Sequence, residues 1–135
     1  MNPATFNALR SAIGLEQQTI ASALGLGAHG KRSVERWCAT ITPPAHAVTY
    51  LLEMVDRYDK FLEGEMEQID LAADTGRAID LIVFKNEASF LTATDGKSGL
   101  PWSMYSSAIQ QAALYAHMSG VEFAVEYVHI EAKAP

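Results

Sequence analysis

The chain has 135 residues, of which 49% are hydrophobic and 19% charged. That is enough apolar material to bury one core, or two small lobes, and too much for a disordered acidic chain. One cysteine, Cys38, excludes a disulfide scaffold and a multi-thiolate zinc site. The net charge of −6 is unevenly spread: residues 1–42 carry Arg10, Lys31, Arg32 and Arg36 against Glu16 and Glu35, a balance of +2, so residues 43–135 carry −8. A basic first third on an acidic remainder suggests one lobe facing an anion and another facing away from it.

The elements follow in chain order. Phe6, Leu9 and Ile13 are spaced as one face of a helix from about Thr5 to Ile13, ended by Gly14. A second helix fits Glu16 to Leu24, with Ile20, Ala21 and Leu24 as its stripe and Gly25 as its stop. Ala21 is small where another helix would cross closely. Gly27 to Gly30 read as a connector, and a third helix fits Lys31 to about Ala39, with Val34, Trp37 and Cys38 inward and Arg32, Glu35 and Arg36 outward. Thr42 reads as a helix cap with Pro43 at the first helical position. The long helix that follows repeats Val48, Leu51, Val55, Tyr58 and Leu62 and extends past Gly64 to about Ala72.

After the Asp74-Thr75-Gly76 turn, Ile79 to Phe84 is short, apolar and β-branched, the pattern of a strand. Asn86 caps a short helix to about Leu91, Thr94 to Gly99 is a loop, and a helix runs from Pro101 to Ser119 with Trp102, Tyr105, Ile109, Ala113 and Ala116 on one face. Val121, Phe123, Val125 and Tyr127 then alternate with polar or small residues, as in a half-buried strand. The fold class is therefore α+β and predominantly helical: a helical bundle over 1–42, a connecting helix over 43–73 and a small αβ lobe over 74–135. Whether the two strands pair within one chain or across a dimer stays open.

Two short helices joined by a glycine turn, the second basic on one face, form a helix-turn-helix unit. A short helix fits the major groove and its exposed side chains reach base edges, while the partner helix braces it and can hold a phosphate. The stretch from Gly14 to Trp37 also resembles the Cro/repressor-like (Xre-type) helix-turn-helix regulators, at Gly14, Leu15, Gln17, Ala21, Leu24, Gly25, Val34, Arg36 and Trp37. It departs from their pattern at Glu16, where Ser or Thr is usual, at Cys38, and in a turn from Leu26 to Ser33 about three residues longer. The second half, from Phe84-Lys85-Asn86 through Gly99-Leu100-Pro101-Trp102 to Gly120 and the last strand, is similar in pattern to small phage and bacterial repressors of the anti-CRISPR-associated type. Their small α/β domain implies a homodimer on an inverted repeat.

Enzyme motifs fail. Gly96-Lys97-Ser98 lacks the earlier glycine of a phosphate-binding loop, since position 91 is Leu. His29, His46, His117 and His129 are dispersed and lack metal-ligand spacing, and no nucleophile elbow appears. We expect no enzyme, no cofactor and no metal. The expected function is a transcriptional repressor, homodimeric and cytoplasmic, bound to double-stranded DNA and not to a membrane. The alternatives are a protein-interaction module of antitoxin type, whose contacts with an unidentified partner would use Trp102, Tyr105 and Phe123, and a ligand-responsive regulator. The expected DNA-contacting residues are Gln17, Gln18, His29, Lys31, Arg32, Ser33, Glu35 and Arg36; those expected at the dimer interface are Val48, Leu51, Val55, Tyr58, Leu62, Val121, Phe123, Val125 and Tyr127.

Overall fold

The computed structural model describes residues 1–131. In chain order its elements are α1 (Pro3–Ala12), α2 (Gln17–Ala23), α3 (Gly30–Trp37), α4 (Ala45–Thr75), β1 (Ile79–Phe84), α5 (Glu87–Thr94), α6 (Trp102–Met118) and β2 (Phe123–Val128). The fold is α+β and mostly helical, with one two-stranded sheet among the described residues. The chain divides into two compact units, Met1–Arg57 and a second from Tyr58 onward. The division falls inside α4, so each unit claims part of that helix instead of leaving it as a separate connector.

In the first unit, α1 starts two residues before the expected Thr5. The Asn2 side chain accepts a hydrogen bond from the Thr5 amide at 2.8 Å, and Pro3 occupies the first turn, where its missing N–H costs nothing. Gly14 and Gly25 follow α1 and α2 with φ of +70° and +64°, the left-handed conformation that glycine adopts without a Cβ penalty. The buried residues of this unit are Phe6, Ile13, Leu15, Ile20, Ala21, Gly30, Val34, Pro43, Ala47, Leu51 and Met54.

The long helix does not open at Thr42 and Pro43. Pro44 disfavours helical backbone at the residue before it, so the first turn forms one step later. The Pro44 carbonyl accepts from the amides of Ala47 and Val48 at 3.0 and 3.2 Å. α4 then runs through Gly64 to Thr75, three residues beyond the expected end. Its buried positions are Ala47, Leu51, Met54, Tyr58, Ile69 and Ala72. Val48, Val55 and Leu62 lie on the half-buried flank.

In the second unit, β1 and β2 pair in parallel within the chain, from Ile79 opposite Phe123 to Phe84 opposite Val128. A parallel pair needs a long crossover, and α5 and α6 supply it. The Asn86 side chain caps α5 by accepting from the Ser89 amide at 2.8 Å. Leu81 and Val83 of β1 enter a core built with Ile69 and Ala72 of α4, Ile109, Ala112 and Ala116 of α6, and Val121. The small residues of α6 are those that face the sheet, which lets helix and strands approach closely. Rings of Phe84, Phe90 and Tyr105 stack beside this core with centroids 5.2–5.7 Å apart.

The last strand differs from its half-buried expectation. Val121 is buried and Phe123 packs against the core, but Val125 and Tyr127 are 41% and 78% exposed. The alternation exists, yet no layer of the described chain covers the apolar side of β2 beyond its first residue.

Candidate nucleic-acid interface

The geometry of the basic helix follows from one packing constraint. Gly30 is buried, and a Cβ built on it would lie 2.7 Å from the Leu26 Cβ and 3.0 Å from the Ala21 Cβ. α2 and α3 therefore meet through Ala21 and Gly30, the close crossing expected of Ala21. Gly30 itself is the first residue of α3 and not part of the connector. Its signal in the sequence was its spacing: Gly30, Val34 and Trp37 fall at i, i+4 and i+7, one helical face. Val34 is fully buried. Trp37 is only half-buried, its ring set edge-on to His46 with centroids 6.3 Å apart.

With Gly30 and Val34 inward, Arg32, Glu35 and Arg36 must project outward, and all three are exposed. Lys31 is exposed on the adjacent flank and Ser33 is half-buried on the other. Among the described residues, Lys31, Arg32 and Arg36 make no ion pair. Their charges are left to attract an external anion. His29, the residue before α3, is exposed and makes no side-chain cap bond.

Gln17 and Gln18, at the start of α2, line an open cleft of about 290 Å³ with Lys31, Glu16 and Arg10. Glu16 occupies the cap position of α2 without a side-chain cap bond, as its departure from the usual Ser or Thr implies. Arg10 was not among the expected site residues. Its Nη1 donates to the Leu15 carbonyl at 2.9 Å, and Nε and Nη2 donate to Asn7 Oδ1 at 3.2 and 2.8 Å. It thus ties α1 to the turn before α2 while adding a cation to the cleft. The legible signal was a basic residue in the last turn of α1.

The residues expected at a dimer interface separate into three groups. Leu51, Tyr58 and Val121 are buried within their own chain, so they are core in this fold and have no surface left to offer. Their regular spacing is explained by intrachain packing. Val48, Val55, Leu62 and Phe123 are half-buried, and Val125 and Tyr127 are exposed. Trp102 and Tyr105, named for a protein partner, are half-buried and brace β1: Trp102 Nε1 donates to the Phe84 carbonyl and the Tyr105 hydroxyl to the Ile82 carbonyl, both at 3.1 Å.

A second open cleft, of about 340 Å³, is lined by Glu65, Gln68 and residues 77–81, including Arg77 and Asp80. Burial raises the Glu65 carboxyl above its ordinary value. This cleft is polar and charged of both signs, unlike the apolar pockets that hold small effectors. No helix of the described residues is long and apolar enough to cross a membrane. Among those residues no group of three or more His, Cys, Asp or Glu is placed to hold a metal ion.

A glycine-jointed pair of helices with a charged outer face on the second defines the class: a helix-turn-helix protein. The sequence profile of the Aca2/YdiL-like family matches residues 1–123. The chain belongs to that family, whose members are regulators of helix-turn-helix type associated with anti-CRISPR genes, and a regulatory, DNA-binding role in general follows. No curated protein matches the chain.

Proposed function

We propose that this protein is a homodimeric transcriptional repressor that places α3 in the major groove of an inverted-repeat operator. The observation that carries the reading is the outer face of α3. Arg32, Glu35 and Arg36 are held outward by the buried Gly30 and Val34, with no ion pair among the described residues to neutralise the arginines. Arg32 or Arg36 pairs with guanine and Glu35 accepts from cytosine; Lys31, His29, Ser33, Gln17 and Gln18 hold phosphates or neighbouring bases. The protein acts by occupancy and not by catalysis. One helix of eight residues reads few base pairs, so specificity requires two copies with recognition helices about 34 Å apart. The acidic chain after residue 42 faces away from the phosphates and carries the dimer contacts.

Titrations on specific and random duplexes test the assignment. Arg32→Ala and Arg36→Ala should each cost roughly 1–3 kcal/mol on the specific site alone. Lys31→Ala should weaken both duplexes similarly and reduce the salt slope by about 1. Unchanged affinity in both arginine variants overturns the role of α3.

A further inference from the structure

The sheet is closed on one edge and open on the other. The Ile79 amide donates to the Glu122 carbonyl and the Lys85 amide to the Val128 carbonyl, at 3.0 and 2.8 Å. In a parallel ladder this points the backbone groups of the odd-numbered residues of β1 toward β2, and those of the even-numbered residues of β2 toward β1. The even-numbered carbonyls of β1, Ile82 and Phe84, face the outer edge and are taken by Tyr105 and Trp102. On β2 the groups of Phe123, Val125 and Tyr127 face outward, and among the described residues β1 is the only strand that neighbours β2. Two residues past the strand, Ile130 is held to α5, its amide donating to Ser89 Oγ at 3.0 Å, so the described chain does not return along this edge.

Such an edge is a template for another strand, and parallel sheets this small and this exposed are rare. On the proposal that the protein is a dimer, we infer that the occupant is β2 of a second copy, antiparallel, with the two-fold axis at Val125. The register follows from charge. Centred on Val125, the pairing sets Phe123 across from the partner's Tyr127, Val125 across from the partner's Val125, and Ala124 across from the partner's Glu126. The aromatic and β-branched pairs gather the apolar side chains that this chain leaves uncovered. A shift that centres the axis on Ala124 sets Glu122 against Glu126. One that centres it on Glu126 sets that residue against itself. Like charges directly opposed are destabilising, and a further shift leaves too little of the six-residue strand paired. The result is a continuous four-stranded sheet, β1-β2 followed by the partner's β2-β1, with its outer edges blocked by Trp102 and Tyr105.

The test uses the full chain in a Cys38→Ser background. Val125→Pro removes an outward N–H and leaves the ladder to β1 intact. By sedimentation at micromolar concentration it should be monomeric, while the parent and Val125→Thr are dimers. Independently of that variant's folding, chains carrying Ala124→Cys and Glu126→Cys are mixed, equilibrated and oxidised. Residues 124 and 126 form a non-hydrogen-bonded pair with Cα atoms about 4.5 Å apart, within disulfide reach, whereas like positions lie about 7–8 Å apart. The mixture should give a disulfide-linked heterodimer, with either chain alone linking roughly tenfold less. A folded Val125→Pro variant that stays dimeric, or equal linking of either chain alone, overturns the edge pairing but leaves the dimer. A monomeric parent overturns the dimer as well, and leaves the edge to a strand from a different protein.

Discussion

Gly30→Ala tests the packing that aims the basic helix. The added Cβ would sit 2.7 Å from the Leu26 Cβ and 3.0 Å from the Ala21 Cβ, whereas carbon atoms pack at about 3.5–4.0 Å. α3 must therefore move by about 1 Å, and neither neighbour is the yielding end of a long side chain. Overpacking of this kind costs about 1–3 kcal/mol, set against a helix-propensity gain below about 1 kcal/mol. We expect a net loss of about 1–2 kcal/mol. With a urea slope of about 2 kcal/mol/M, the midpoint should fall by roughly 0.5–1 M. The chain's two tryptophans lie one in each unit, Trp37 in the first and Trp102 in the second. Fluorescence of Trp37 in a Trp102→Phe background therefore follows the affected unit. Gly64→Ala, in the second unit, is the contrast, followed by Trp102 fluorescence in a Trp37→Phe background. It adds a Cβ into open space in the middle of α4, and should stabilise by up to about 1 kcal/mol. A Gly30→Ala variant as stable as the parent would refute the close crossing of α2 and α3.

Two further substitutions probe the second unit. Glu65 has a raised pKa because burial disfavours its charged form, so its ionisation costs stability. Glu65→Gln should raise the urea midpoint at pH 7, and the advantage should vanish as the pH falls below the ordinary value of 4.5, where the native glutamate is neutral too; an advantage independent of pH would contradict this cause. The fully buried Ser89 hydroxyl accepts from the Ile130 amide at 3.0 Å and donates to its carbonyl at 3.3 Å. Ser89→Ala should cost about 1–3 kcal/mol and speed hydrogen exchange of the Ile130 amide; unchanged exchange would show that the contact does not hold the chain after β2.

Local signals carried most of the element reading. β1 coincides with the expected Ile79 to Phe84 because a six-residue run, apolar at every position but Asp80, lies between a turn and a helix cap. The start of α4 shifted because two consecutive prolines compete: Pro43 favours a first helical turn, and Pro44 disfavours one in the residue before it. The outward face of α3 was legible from periodicity alone. What periodicity cannot separate is a stripe buried within the chain from one buried by a partner, since both produce the same spacing. Leu51 and Tyr58 were therefore read as interface when the chain itself buries them. The role of Gly30 was hidden for a related reason: a glycine beside other glycines reads as a flexible connector, and only the crossing helix shows that it is needed for its lack of a side chain. The tie that Arg10 makes to the Leu15 carbonyl was not legible because it depends on a turn whose geometry no single residue announces.

The most direct measurement for the central claim is selection of duplexes bound by the full chain from a random pool, at near-physiological salt. The account expects an inverted repeat to be enriched, with half-site centres about one helical turn, roughly 34 Å, apart. Arg32→Ala and Arg36→Ala chains should lose preference at particular positions of each half-site. Recovery of no common sequence, or of a single unrepeated half-site whose preference both arginine variants retain, would contradict it.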